Sequence, residues 1–244
     1  MNRHVIIATF CMLFVPGLAL GYLPDAPATP PEPLPHRGPS GEAYTTLGRA
    51  EFVGRQALHG GLVGYELCIY SECSEPLSYG VAALGAGVGV GVSYLAITQG
   101  ITSGRAQAIN SGFVWGTLNG LLSVAEDSAP DTILVMLASQ GIGMGLGFGY
   151  SWLLRPTGGQ VALASFVGIW TSTAATSVAL LPRIFNGPEK DNILLATRGA
   201  ALAGLAAGTL WAHYVPMSRS RVFVMNLGVL VGGSVASTPP SCQA

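Results

Sequence analysis

The chain has 244 residues, 50% of them hydrophobic and only 9% charged, with 34 glycines, 16 prolines and a formal net charge of −1. An ordinary soluble domain carries about 25% charged residues, so this composition excludes a water-soluble globule and points to lipid. No basic tract is long enough to follow a phosphate backbone, which excludes nucleic acid as a partner.

The first element, residues 1–20, has the order of a secretory signal peptide. Arg3 and His4 lead into an apolar run at 5–15, and small residues follow at 17–21. A retained membrane anchor is the other reading. Residues 21–43 form a flexible spacer, with seven prolines between positions 24 and 39, a density that prevents a packed helix or sheet.

Residues 44–78 read as a periplasmic or interfacial amphipathic region. Gly60 and Gly64 stand four apart, but Arg49, Glu51, Arg55, His59 and Glu66 argue against a full crossing and for a helix on the outer surface or capping a bundle. Cys68 and Cys73 lie close enough in CIYSEC for a local disulfide if the chain turns between them. With Cys11 and Cys242 they make no metal-ligand spacing, so no metal and no cofactor are expected.

Six apolar segments follow within 79–236, at 80–97, 106–125, 132–154, 161–181, 192–215 and 222–236, and 237–244 form a tail. A helix of about 20 residues crosses a bilayer core. The segments repeat: GVGVSYL at 89–95 returns as GFGYSWL at 147–153. SGRAQAINSGFVWG at 103–116 aligns with TGGQVALASFVGIW at 157–170 and RSRVFVMNLGVLVG at 219–232. The unit is about 55–60 residues and holds two segments joined by a short polar loop. The expected fold is therefore an all-α membrane protein, a glycine-rich transmembrane helical bundle of about three tandem two-helix repeats.

The rival fold is a transmembrane β-barrel, because Val88, Val90 and Val92 alternate with glycine, as do Ile142, Met144, Leu146 and Phe148. The runs are about twice the length a tilted strand needs. At helical spacing the small residues fall into ladders instead: Gly104, Ala108, Gly112, Gly116 and Gly120; Gly141, Gly145 and Gly149, with Gly143, Gly147 and Ser151 beside them; and Ala200, Gly204, Gly208 and Ala212. Small residues four apart let helix backbones approach closely. The helix-packing positions expected are thus Gly104, Ala108, Gly112, Gly116, Gly120, Gly141, Gly145, Gly149, Gly204 and Gly208.

Basic residues favour alternate loops: Arg105, then Arg155, then Arg219 and Arg221, against Glu126, Asp127 and Asp131 in the loop between the first two. Short basic loops stay cytoplasmic. This puts the start of the first segment outside, on the side where a cleaved signal leaves the mature N-terminus, and Cys68, Cys73 and Cys242 in an oxidising compartment.

Polar groups inside apolar segments point to function in membrane proteins. Asn110, Asn119, Gln140, Arg198 and His213 qualify, and Asn110, Gln140 and Arg198 are the candidates for binding a ligand or lining a pore. Asn110, Ser165 and Asn226 occupy matching repeat positions, where an interhelical hydrogen bond is the simplest use. No GxSxG, HExxH or Walker loop occurs, and no paired membrane carboxylates stand ready for a proton-coupled carrier. The sequence therefore predicts a structural or scaffolding protein of the cell envelope with no catalytic activity, in contact with lipid and with a second copy or an envelope protein. Its expected place is the inner membrane, the outer membrane being the site of the barrel alternative. A transporter or channel subunit for a small solute is the second reading.

Overall fold

The computed structural model describes residues 42–98, 100–126, 132–185, 190–215 and 217–236. The signal segment 1–20, the spacer up to 41, Cys11, Cys242 and the 237–244 tail lie outside the described residues.

Seven helices follow one another among the described residues: α1 Thr46–Tyr70, α2 Glu75–Ala96, α3 Ser103–Glu126, α4 Thr132–Leu153, α5 Gly158–Phe185, α6 Lys190–Tyr214 and α7 Arg219–Ala236. Among the described residues there is no sheet or barrel, only one isolated bridge between Tyr44 and Thr102. The glycine–valine alternation of α2 and α4 is thus carried on helices. In lipid an unpaired backbone costs more than glycine's poor helix propensity, so the helix wins.

The helices pack as three antiparallel hairpins, α1 with α2, α3 with α4 and α5 with α6. Small residues line each seam. Gly60 lies against Gly85, Gly64 against Val81, and Gly89 against the Gln56 backbone. Gly112 lies against Gly143 and Gly147, Gly116 against Ser139 and Gln140, and Gly120 against Met136. Gly204 meets Gly168 and Thr171, and Gly208 meets Ala164. Where the sequence units pair 80–97 with 106–125, the tightest packing pairs each helix one place earlier, and α1 supplies the first partner. Running 25 residues, or about 37 Å at helical rise, α1 lies lengthwise along α2.

The odd-numbered helices also touch in order, α1 to α3 to α5 to α7. One side-chain hydrogen bond ties each step: Gln56 Nε2 donates to Asn110 Oδ1 at 2.9 Å, Ser111 and Ser165 share a hydrogen at 2.9 Å, and Trp170 Nε1 donates to Asn226 Oδ1 at 3.1 Å. Outside this row, α2 and α4 turn Leu84, Val88, Val92, Ile142, Leu146 and Phe148 outward.

Four helices are long and apolar enough to cross a membrane: α2, α4, α5 over Gly158–Val178, and α6 over Ile193–Tyr214. The chain is a multi-span α-helical membrane protein. The other two expected segments form α3 and α7, which do not reach that apolarity among the described residues. For α3 the reason is shelter: Ala106, Ala108, Ile109, Asn110, Phe113 and Thr117 are all buried, so its surface is not selected for lipid.

Candidate functional site

Two polar regions stand out, one at the end of the bundle and one inside it. At the end, the odd-numbered helices all start together. Thr45, Thr102, Thr157 and Ser218 each accept a backbone N–H from the residue three further on: Gly48, Arg105, Gln160 and Arg221. These caps satisfy donors that a helix start leaves open. At α5 the Gln160 side chain also accepts from Thr157 N at 2.8 Å, completing a capping box.

Carboxylates complement these positive helix ends. Glu42 accepts from Gly104 N and Gly158 N, both at 2.8 Å, and so bridges the starts of α3 and α5. Glu51 takes both nitrogens of the Arg219 guanidinium at 2.8 and 3.0 Å, while Arg219 also donates to Ser103 Oγ at 2.8 Å. Arg55 approaches the same carboxylate at 3.5 Å. Such bidentate pairs fix geometry as well as add energy.

The chain ahead of α1 meets the bundle at the starts of α3 and α5, the end where Ser103 and Arg219 also lie. The turn from α1 to α2 lies at the other end, closed by a disulfide between Cys68 and Cys73.

Inside, α1 presents Glu51, Arg55, His59 and Glu66. At 3.6 residues per turn these fall within roughly 80° of arc. His59 and Glu66 are buried, and His59 stacks on Phe113 of α3 with ring centroids 3.8 Å apart. Glu66 Oε1 accepts from Gln140 Nε2 of α4 at 3.0 Å. Several atoms of this column have no hydrogen-bond partner although buried: Glu66 Oε2, Gln140 Oε1, His59 Nδ1, Asn110 Nδ2 and Arg55 Nε.

Of the residues expected to bind or line a pore, Asn110 and Gln140 each meet a side chain of α1. Arg198 is elsewhere, donating to Ser123 of α3 at 2.9 Å. None of the three lines the groove of about 890 Å³ that opens between α2 and α4. Leu84, Val88, Met144 and Phe148 make that groove apolar, with Gln56, His59, Ser93 and Arg105 its polar contributors. His213 edges onto Tyr214, and Asn119 turns back to the Trp115 carbonyl of its own helix.

The expected packing glycines divide. Gly104 lies against Pro156 and Thr157, Ala108 against Gly147, and Gly112, Gly116, Gly120, Gly204 and Gly208 sit in seams. Gly141, Gly145 and Gly149 face open space; the neighbouring ladder of Gly143 and Gly147 is the one that meets α3.

The residues missed from the sequence are Glu51, His59 and Glu66 as interior groups. Their helical spacing was the signal that would have found them. Among the described residues no three His, Cys, Asp or Glu side chains stand close enough to hold a metal ion. No protein-family model, no curated protein and no solved structure matches the chain.

Proposed function

We propose that this membrane protein is a structural scaffold of the cell envelope, a tightly seamed helical slab that offers its outer helices to lipid and to partners. One observation carries the reading. The three polar residues expected to build a transport site are divided: Asn110 and Gln140 bond Gln56 and Glu66 of α1, while Arg198 bonds Ser123 of α3. A solute carrier needs such groups gathered around one cavity. Close glycine seams fit the same role, since they maximise backbone contact between helices. The exposed leucines and valines of α2 and α4 suit acyl chains.

The orientation that fits best has the basic face in the cytoplasm of an inner membrane. Arg105, Arg155, Arg219 and Arg221 belong to that face by the positive-inside rule, and the Cys68–Cys73 bridge then lies in the oxidising compartment.

The test is a swelling assay on the full chain in liposomes, challenged with sugars, amino acids and potassium chloride. Rates equal to those of protein-free vesicles are expected. A several-fold faster response to any one of these solutes would replace the scaffold with a carrier or channel.

A further inference from the structure

We propose that the polar face of α1 is a proton path through the bundle, with Glu66 and His59 as the groups that bind the proton in transit. This goes beyond a scaffold role and rests on a different set of residues from the seams.

The first support is placement. Glu51, Arg55, His59 and Glu66 share one arc of a single helix. They reach from five residues inside the start of α1 at Thr46 to four residues before its end at Tyr70, a span of about 22 Å out of a hydrocarbon core near 30 Å. Ionisable groups at such depth are expensive, and face a bundle interior or a wet cavity when they occur.

The second support is unfilled bonding capacity. Glu66 has one free carboxylate oxygen, and the amide that holds its other oxygen has a free carbonyl of its own, Gln140 Oε1. Protonated Glu66 has the hydroxyl that this carbonyl lacks. His59 Nδ1, Asn110 Nδ2 and Arg55 Nε are likewise buried and unbonded. A dry column would lose about 1–3 kcal/mol at each such atom, and a structural tie alone would need no such surplus. Water along α1 would satisfy these atoms, since buried waters bind where two to four polar partners converge.

The third support is the gap. Glu66 and His59 are seven residues apart, about 10 Å along the axis, too far for direct transfer and suited to a short chain of waters. A proton arriving from the disulfide end binds the Glu66 carboxylate. It leaves to water and reaches the free Nδ1 of His59, giving imidazolium. Water then carries a proton from the ring past Gln56 and Asn110 to the Glu51 end of the column, where it is released to bulk water and the Glu51 carboxylate keeps its ion pairs with Arg55 and Arg219. One proton enters for each that leaves, nothing is oxidised or reduced, and the gradient across the membrane drives the transfer. Arg55, one turn away on the same face, opposes an imidazolium at position 59, and Arg105 of α3 lines the groove that His59 also lines. Asn110, Phe113 and Gln140 on the packed faces of α3 and α4 are neutral, so the ring holds the proton only in passing.

The experiment is proton flux into proteoliposomes of the full chain, read by a trapped pH-sensitive dye under a potassium diffusion potential. Wild type is expected at least tenfold above protein-free vesicles. Glu66→Gln and His59→Phe should each lower that rate at least fivefold, with helical content and elution volume unchanged, whereas Arg221→Gln on the exposed end should keep it. Glu66→Gln retains the shape of the side chain, and His59→Phe retains a ring to stack on Phe113. Wild-type flux at the protein-free level would overturn the path, as would folded variants that conduct like wild type. A potassium leak as fast as the proton leak would overturn it too, since it would mean a breach in the bundle. Of these results only the potassium leak also bears on the scaffold reading, which otherwise stands or falls on the flux of sugars, amino acids and salt.

Discussion

The first two hairpins, α1–α2 and α3–α4, are built on the same seam yet hold opposite interiors. Gly60 and Gly85 meet in one as Gly116 and Gly143 meet in the other. The inner helix α3 buries amides and hydroxyls, Asn110 and Thr117, whereas α1 buries an imidazole and a carboxyl, His59 and Glu66. Contact between two helices and the chemistry they enclose are therefore separable. Small residues at four-residue intervals set the first, and the face turned toward the next inner helix sets the second.

The largest blow to this likeness is a bulky residue in either seam. A side chain at Gly116 collides with the Ser139 carbonyl, and one at Gly85 with the Gly60 carbonyl. Gly116→Leu and Gly85→Leu are each expected to cost at least about 3 kcal/mol, seen as loss of the folded fraction in detergent titrations. Equal losses mean that the seams are equivalent; a tolerated Gly85→Leu would show that the first hairpin is held by its disulfide instead. Next in size, Cys68→Ser opens the link that only the first hairpin has. About 2 kcal/mol of stability should go with it, and hydrogen exchange should rise in α1 and α2 while α3 and α4 stay protected.

Smaller again is the tie between the inner helices. Asn110→Ala removes the acceptor of Gln56 and should lower stability by about 0.6 kcal/mol, an average interhelical hydrogen bond in a membrane. A loss several times larger would mean that Asn110 also organises the column beside it. The smallest change belongs to Gly141→Ala and Gly145→Ala, where an added methyl meets nothing. Midpoints should move by no more than about 0.5 kcal/mol, and upward if helix propensity dominates.

The helices and the α3 ladder were legible in the sequence because length, apolarity and a four-residue period act within one segment. The choice between the two ladders of α4 was not. Gly141, Gly145 and Gly149 repeat as regularly as Gly143, Gly147 and Ser151, and only the position of α3 decides which is covered. The ionisable residues of α1 argue in the sequence against a full crossing, and α1 is not among the four described helices apolar enough to span. That reading does not show which neighbours cover those residues, because only the packing of α2, α3 and α4 against α1 decides it. Asn110, Ser165 and Asn226 were matched by position, and all three join the inner helix before their own. Their partners Gln56, Ser111 and Trp170 could not be named, because the matching says nothing about which neighbour faces them.

The anchorage of Glu42 on the starts of α3 and α5 also fixes a parity. Seven described helices separate that residue from position 236, and an odd number of antiparallel runs brings the two to opposite ends of the bundle. On the proposed orientation, a reporter fused before Glu42 and another fused after position 236 should light up on different sides of the membrane.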